Sequence, residues 1–246
     1  MLGLDYSGSL RPVVQLASMS LRVRLIALVA LTSAAVLSGP NTLAAQGQTP
    51  TADAQANFAK AWAQQPRQDL GIPAAGAKVI IVKFNDYMCP SCRQAEVAYK
   101  PILDKFAKSN PGAVKYVVKD WPWNSGCNFN ATSTIRGHEA SCNAAVAARI
   151  AKDRGKYDEM AAWLYANQGT TPAAVRAAAE RILAVKDFDV EYAAKLTDIR
   201  RDVADGGVLR IDSTPTFFIN GVKLPNGIIP AEYFELAIAL ELKKAG

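Results

Sequence analysis

The chain has 246 residues, of which 50% are hydrophobic and 20% charged. This length and composition fit one ordinary globular domain with its own core, and they exclude wholesale disorder and a polytopic membrane protein. The net charge of +6 does not indicate a nucleic-acid partner, because Lys and Arg are scattered among Asp and Glu and form no basic stripe with aromatic residues.

Residues 1–45 have the layout of a secretory signal or an N-terminal anchor. Arg22 and Arg24 precede an uncharged apolar run at 25–38, and small residues follow it. The run is shorter than the roughly 20 apolar residues that a spanning helix needs, which favours a cleaved signal over an anchor. Met19 is a second candidate start of translation. The folded part is therefore expected in the periplasm or another extracytoplasmic compartment.

Residues 46–77 are predicted to form a linker and an N-terminal helix, and residues 78–122 a β-α-β unit. The first strand of this unit, at 79–84, is β-branched and almost continuously apolar, which is typical of a strand buried on both faces. Apolar residues then recur at helical spacing over 90–108, and a second strand is predicted at 113–118. The crossover between the two strands is expected to be right-handed.

A helical insertion is predicted at 123–205, with a helix start at Thr171-Pro172 and an apolar stripe at 188–203. The last part, 206–246, is predicted to contain two strands and a closing helix. The strands lie at 216–219 and 222–224, joined by a hairpin turn at Asn220-Gly221, and the helix spans 230–243. The expected fold is α/β, with a β-α-β half, inserted helices and a β-β-α half.

Cys89 and Cys92 form a C-x-x-C motif where the first strand gives way to the helix. Unpaired amides and the helix dipole favour a thiolate at Cys89, and Cys92 lies on the same side of the helix three residues later. We therefore expect Cys89 to be the catalytic nucleophile and Cys92 the resolving cysteine. Between them, Pro90 fits the first helical turn, and Ser91 offers its hydroxyl to the Cys89 sulfur.

Cys127 and Cys142 have two open interpretations. In an oxidising compartment they can form a structural disulfide, and closing a loop of about 15 residues stabilises by about 3 kcal/mol in the chain-entropy model. A second redox or regulatory pair is the alternative. We predict no metal site, because these two cysteines lack the C-x-x-C spacing that a four-cysteine zinc site needs. The only histidine, His138, is expected to be a capping or surface residue.

Thr214 and Pro215 immediately precede the predicted strand at 216–219. A proline inside a strand would remove a ladder hydrogen bond, so Pro215 is better suited to the turn that leads in. Beside a C-x-x-C at a strand-to-helix junction, we expect the Thr214-Pro215 bond to be cis and to lie opposite the cysteines. The backbone of Thr214 is then exposed for pairing with an extended substrate.

Two segments carry a resemblance to a known family. Phe84-Asn-Asp-Tyr-Met-Cys-Pro-Ser-Cys92 and Thr214-Pro-Thr-Phe-Phe-Ile-Asn-Gly221 resemble the DsbA-like thiol-disulfide oxidoreductases of the thioredoxin superfamily. The resemblance extends from about Phe58 to the C-terminus. It implies a thioredoxin-like fold with an inserted helical domain, in an enzyme that introduces disulfide bonds into exported proteins. No cofactor is implied beyond the redox-active disulfide of the C-x-x-C motif.

The resemblance also implies partners. The substrates are expected to be unfolded exported proteins, and a membrane-embedded, quinone-linked protein is expected to reoxidise the cysteines. Cys127-Asn128 with His138-Glu-Ala-Ser-Cys142 resembles the subgroup paired with membrane proteins of the vitamin K epoxide reductase type, and a DsbB-type reoxidant is the alternative. A monomer is expected. A disulfide isomerase or reductase of the same compartment, and a non-catalytic peptide- or metal-binding chaperone, are the alternative functions.

Two departures from the family occur at the motif. Ser91 replaces the histidine of many relatives, so we expect a cysteine pair that is less oxidising than the strongest oxidants of the family. Six residues before Cys89, where relatives often have a buried carboxylate that relays a proton, this chain has Lys83. A buried Lys needs a paired charge or a lowered pKa. Asp120 is the expected partner and Asp86 the alternative, unless the Lys83 side chain extends to the surface.

Overall fold

The computed structural model describes residues 49–245, and the predicted signal or anchor at 1–45 lies outside them. Within the described range the chain forms seven helices and four strands. Their bounds are α1 Ala52–Ala63, β1 Val79–Asn85, α2 Pro90–Ser109, β2 Val114–Asp120, α3 Ser141–Asp153, α4 Tyr157–Ala166, α5 Pro172–Leu183, α6 Phe188–Val208, β3 Thr216–Ile219, β4 Val222–Lys223 and α7 Ala231–Lys244. The predicted β-α-β and β-β-α halves are confirmed, and α3 to α6 are the helices inserted between them.

The four strands form one mixed sheet in the order β2-β1-β3-β4. β1 is central. It pairs in parallel with β2, where Val82 lies opposite Val117, and antiparallel with β3, where Val82 lies opposite Phe218. Nearly all of β1 is buried because helices cover both faces of the sheet. The continuous apolar sequence of β1 follows from this position, and the strand leads the chain directly to Cys89.

The two faces of the sheet have separate hydrophobic cores. Ile81 belongs to the core formed with α2 and α7, whereas Val82 and Phe84 belong to the core formed with the helices α3 to α6. Successive side chains of a strand point to opposite faces, so Lys83 shares the face of Ile81. This alternation directs a charged side chain toward α2, underneath the C-x-x-C motif.

The turn between β3 and β4 is fixed by polar contacts at the end of the sheet where β1 begins. Asn220 and Gly221 have positive φ angles of 46° and 83°. The Asn220 side chain accepts a hydrogen bond from the amide of Ile80 at 2.7 Å and donates one to Glu241 at 2.8 Å. Glu241 is buried and also accepts a bond from the indole N–H of Trp62 at 2.7 Å. These contacts join α1, the β3–β4 turn and α7.

Helix α6 approaches the sheet closely at one glycine. A Cβ atom on Gly206 would overlap the ring of Trp121, which is itself 2% exposed. A Cβ atom on Gly207, the next residue of the same helix, would lie 3.2 Å from the side chain of Asn130. The two adjacent glycines therefore differ in what surrounds them, although both are helical.

We predict that Gly206→Ala lowers the free energy of unfolding by about 1–3 kcal/mol, because the new Cβ would overlap the ring of Trp121, which is buried. Gly207→Ala is the matched control. Both substitutions improve helix propensity by up to about 1 kcal/mol, and only the first overlaps a buried ring. Urea unfolding of the two variants measures the difference, and equal stabilities would contradict the close approach at Gly206.

Candidate active site

The C-x-x-C motif lies where β1 ends and α2 begins. Cys89 is the N-cap residue of α2, with extended backbone angles of φ −79° and ψ 121°, and Pro90 occupies the first helical turn. The amides of Cys92 and Arg93 donate to the carbonyl oxygen of Cys89 at 3.0 and 3.3 Å. Cys89 is 9% exposed and Cys92 is fully buried, and both thiols are free. Cys89 is therefore the less buried of the two cysteines.

The two thiols differ in acidity. The pKa of Cys89 is lowered to about 6, chiefly by a hydrogen bond with Cys92 and further by bonds with Thr214 and with the amides of Cys92 and Ser91, against the opposing effect of burial. The pKa of Cys92 is raised well above its ordinary value, first by burial and then by its hydrogen bond with Cys89. Cys89 is therefore a thiolate at neutral pH, and Cys92 is a thiol. Ser91 contributes through its backbone amide, and the predicted bond from its hydroxyl stays a prediction.

The loop before β3 lies against Cys89. The Thr214-Pro215 peptide bond is cis, and the carbonyl oxygen of Thr214 is 3.3 Å from Cys89 Sγ. The indole N–H of Trp123 donates to the hydroxyl oxygen of Thr214 at 2.9 Å, which leaves the hydroxyl hydrogen available for the sulfur. The structure thus brings Thr214 and Pro215 to the cysteines, although they are far apart in the chain.

The helical layer contacts the motif through Gln168, just after α4. Its Nε2 donates to the carbonyl oxygens of Tyr87 at 3.0 Å and Cys89 at 2.7 Å. Pro90, Val97 and Gln168 also line a shallow groove of about 450 Å³, in which Val97 is 73% exposed. Arg93, Gln94 and Ala98 complete the lining, so an exposed apolar side chain lies in a mixed polar and apolar groove next to the motif.

Asp86, three residues before Cys89, is a buried carboxylate with four hydrogen-bond partners. The partners are two backbone amides, a hydroxyl and an imidazole, which belong to Met88, Trp123, Ser141 and His138 at 2.7–2.8 Å. The surface or capping role predicted for His138 is wrong, because its side chain is only 12% exposed and contacts this carboxylate. Asp86 therefore links the motif to the segment between β2 and α3.

Lys83 is buried, and its ionic partner is neither of the predicted carboxylates. Its Nζ lies 3.2 Å from Glu96 Oε2, 3.2 Å from the Tyr165 hydroxyl and 3.4 Å from the carbonyl oxygen of Cys92. Glu96 stands four residues after Cys92, one turn along the face of α2 that covers Lys83. The alternative that Lys83 extends to the surface is also wrong, because the residue is 1% exposed.

Asp120 belongs to a different charged cluster. Arg149 Nε donates to Asp120 Oδ2 at 2.6 Å, and the same guanidinium pairs with Asp202. Burial raises the pKa of Asp120 to about 7, although the charge of Arg149 opposes the shift. Because Arg149 of α3 occupies this end of β2, Asp120 is already paired and does not bind Lys83.

Cys127 and Cys142 form a disulfide bond with their Cα atoms 5.9 Å apart. The bond closes the segment between β2 and α3 that contains His138, and both cysteines are almost fully buried. Burial limits the access of an attacking thiolate to this bond. A structural role, as opposed to a redox role, stays a prediction.

Two further features apply to residues 49–245. In that range no group of three or more His, Cys, Asp and Glu side chains is placed to hold a metal ion. No helix in the described part of the chain combines the length and the apolar character needed to cross a membrane.

Several residues of the site are missing from the sequence predictions. Glu96 has a recognisable signal, since it shares a helix face with Cys92. Trp123, Tyr165 and Gln168 have none, because each reaches the motif from a distant segment. The sequence identifies His138, but it does not predict its contact with the Asp86 carboxylate.

A thioredoxin-like sheet and a C-x-x-C motif at a helix start together define the class of thioredoxin-fold redox proteins. The family model for thioredoxin matches residues 67–237, and the chain belongs to this family. At the level of family and fold, the resemblance to DsbA-like proteins and the predicted α/β thioredoxin-like fold are confirmed.

Three solved structures illustrate the likeness. A thioredoxin-like oxidoreductase from Silicibacter pomeroyi DSS-3 is 23% identical, with a TM-score of 0.50 over 69% of this chain and 93% of the other. A periplasmic thioredoxin-like protein from Salmonella enterica serovar Typhimurium is 20% identical, with a TM-score of 0.51 over 76% and 97%. Wolbachia pipientis alpha-DsbA1 is 19% identical, with a TM-score of 0.52 over 69% and 88%. At these identities the likeness shows the fold.

Curated relatives match over a shorter stretch. The Na(+)/H(+) antiporter NhaA 1 of Mycobacterium sp. (strain KMS) is 31% identical over 151 residues, which are 59% of this chain and 22% of the relative. NhaA 1 of Salinispora arenicola (strain CNS-205) is 32% identical over 153 residues, with 59% and 20% covered. The chain thus spans about a fifth of the length of these relatives.

We predict that alkylation of the reduced protein by iodoacetamide occurs at Cys89, with a pH midpoint near the pKa of about 6. In Cys92→Ala the midpoint should rise, because the hydrogen bond with Cys92 is the main stabilisation of the thiolate. Mass spectrometry of the labelled peptides measures both. Cys89→Ser is the control, in which buried Cys92 should stay unlabelled while the protein is folded. A Cys89 midpoint at the ordinary thiol value would contradict the assignment.

Proposed function

We propose that this protein is an extracytoplasmic thiol-disulfide oxidoreductase that introduces disulfide bonds into exported proteins through Cys89 and Cys92. The observation that carries the proposal is the difference in acidity between the two sulfurs, with a pKa of about 6 at Cys89 and a strongly raised pKa at Cys92. A stabilised thiolate favours the reduced pair, which makes the disulfide form an oxidant.

In the first step, the oxidised protein has a disulfide between Cys89 and Cys92. A substrate thiolate attacks Cys89 Sγ, the S–S bond breaks, and the sulfur of Cys92 leaves and takes up a proton. The substrate is then held in a mixed disulfide with Cys89. The backbone of Thr214 lies 3.3 Å from that sulfur, where it can pair with an extended substrate.

In the second step, another thiolate of the substrate attacks the substrate sulfur of the mixed disulfide. The bond to Cys89 breaks, and Cys89 leaves as a thiolate, for which its low pKa makes it a good leaving group. Two electrons have passed from the substrate dithiol to the cysteine pair. We propose that a membrane-embedded, quinone-linked protein of the vitamin K epoxide reductase or DsbB type accepts them, and that the oxidoreductase acts as a monomer.

Lys83 and Glu96 are proposed to manage the proton of Cys92. Burial raises the pKa of Cys92, and the charge of Lys83 opposes this shift, so it eases departure of the Cys92 sulfur. Lys83 is bonded to Glu96, whose side chain is 28% exposed. The Lys83–Glu96 pair thus connects the buried Cys92 end of the motif with solvent, and a proton can pass along it. Neither the Asp86 nor the Asp120 carboxylate contacts Lys83, and Asp86 reaches Cys92 Sγ only through its backbone amide, at 3.5 Å.

Two observations support the extracytoplasmic compartment. The sequence at 1–45 has the layout of a secretory signal or anchor. The disulfide between Cys127 and Cys142 fits an oxidising environment, because such bonds are rare in the reducing cytosol.

The reduction potential of the Cys89-Cys92 pair tests the direction of the reaction. Equilibration with glutathione should give a value well above that of thioredoxin, which is about −270 mV, and the oxidised protein should convert a reduced two-cysteine peptide to its disulfide. A potential near or below that of thioredoxin would favour a reductase. Faster repair of a scrambled disulfide than oxidation of the peptide would favour an isomerase.

The substrates are tested by trapping. Cys92→Ala lacks the resolving thiol, so mixed disulfides with exported proteins should accumulate on Cys89. The double variant Cys89→Ser, Cys92→Ala is the control and should trap nothing. The absence of any trapped protein, together with binding of a metal ion by the wild type, would instead favour the non-catalytic chaperone.

We predict that Lys83→Met slows mixed-disulfide formation by the oxidised protein about three- to tenfold, because loss of the charge raises the pKa of the leaving sulfur. Stopped-flow measurement with a small thiol gives the rate. Lys100→Met, which removes an exposed Lys paired with Asp104, is the control and should leave the rate unchanged. Equal rates for the two variants would contradict the role of Lys83.

A further inference from the structure

The backbone of Asp86 contacts both cysteines of the C-x-x-C motif. The amide of Asp86 is 3.5 Å from Cys92 Sγ, and its carbonyl oxygen accepts a bond from the amide of Cys89 at 3.1 Å. The residue is 1% exposed, so water screens its charge poorly. A negative charge at this position opposes the formation of a second negative charge on Cys89.

His138 is the cationic group available to this carboxylate. Its Nδ1 lies 2.8 Å from Asp86 Oδ2, and the hydroxyl of Ser141 approaches the same nitrogen at 3.4 Å. The other bonds to the Asp86 carboxylate come from a hydroxyl and two backbone amides, which are neutral. Arg136 and Glu139 flank the histidine and are exposed to solvent.

We propose that His138 is a positioning residue for the thiolate of Cys89, and that it acts as an imidazolium that cancels the charge of Asp86. The inference rests on the proposed function. A residue outside the C-x-x-C motif thus stabilises the Cys89 thiolate through its charge, which the neutral side chain of Ser91 cannot do. The disulfide between Cys127 and Cys142 closes the segment that holds this imidazole on the carboxylate.

The titration of His138 supports the geometry. Its hydrogen bond with Asp86 is the main cause of a raised pKa, which burial opposes, and the charges of Asp86, Cys89 and Glu139 raise the pKa further. The imidazolium is present below this raised pKa and is lost as the pH increases through it. Above that pH, the charge of Asp86 is uncompensated, and the Cys89 thiolate loses part of its stabilisation.

His138→Asn tests the proposal, because the amide of Asn can still donate to Asp86 but carries no charge. The pKa of Cys89 in the reduced protein, followed by the ultraviolet absorbance of the thiolate, should rise by about half a unit to one unit, a three- to tenfold change in its acid constant. Arg136→Gln is the matched control. It removes a nearby exposed charge that does not contact Asp86, and it should leave the pKa of Cys89 unchanged. A neutral structural role for His138 predicts wild-type titration in both variants, which would overturn the proposal.

A second measurement needs no variant and covers the case in which His138→Asn fails to fold. The chain has one histidine, so its imidazole signals in an NMR titration are unambiguous. Linkage is reciprocal, so the pKa of His138 should be higher in the reduced protein, with a thiolate at Cys89, than in the oxidised one. Equal values would overturn the proposal. A wild-type protein that does not exchange disulfides would refute the proposed function, whereas these titrations would still decide the role of His138.

Discussion

The cysteine end of the structure depends on the buried carboxylate of Asp86. Its four partners come from Met88 just before the motif, from the loop after β2 and from the start of α3. These bonds replace the water that the charge loses on burial, and loss of any donor would leave the carboxylate poorly solvated. The three segments are therefore fixed together. The backbone of Trp123 is placed by the same contact, and its indole N–H bonds to Thr214, whose carbonyl oxygen lies against Cys89 Sγ.

The acidity of Cys89 consequently has a tertiary origin as well as a local one. A helix N-terminus favours a thiolate in any protein, but here the neighbouring thiol and the loop at Thr214 also contribute hydrogen bonds. Cys92 lies one helical turn away and has the opposite shift, because it is fully buried. The same short motif thus holds one sulfur that is a thiolate at neutral pH, Cys89, and one that stays a protonated thiol, Cys92.

The strands, the helix α2 and the C-x-x-C motif could be predicted because their signals are local, in the apolar run of β1 and the helical spacing that follows it. The ionic partner of Lys83 could not be predicted in this way. The sequence pattern suggested Asp120 or Asp86, but Arg149 pairs with Asp120, and Lys83 pairs with Glu96 of α2. His138 lies in a loop that leads into a helix, so its contact with Asp86 leaves no trace in the local pattern. Contacts between distant segments fix these roles.

The order of the four cysteines has a consequence for the protein's own biosynthesis. Cys89 faces Cys92, and Cys127 is bonded to Cys142, so the two pairs are consecutive and neither encloses the other. During synthesis and export the chain emerges N-terminus first. In each pair, the second cysteine is the next cysteine to emerge after the first. Native connectivity therefore follows the direction of synthesis, and no bond has to be exchanged between pairs for the protein to mature.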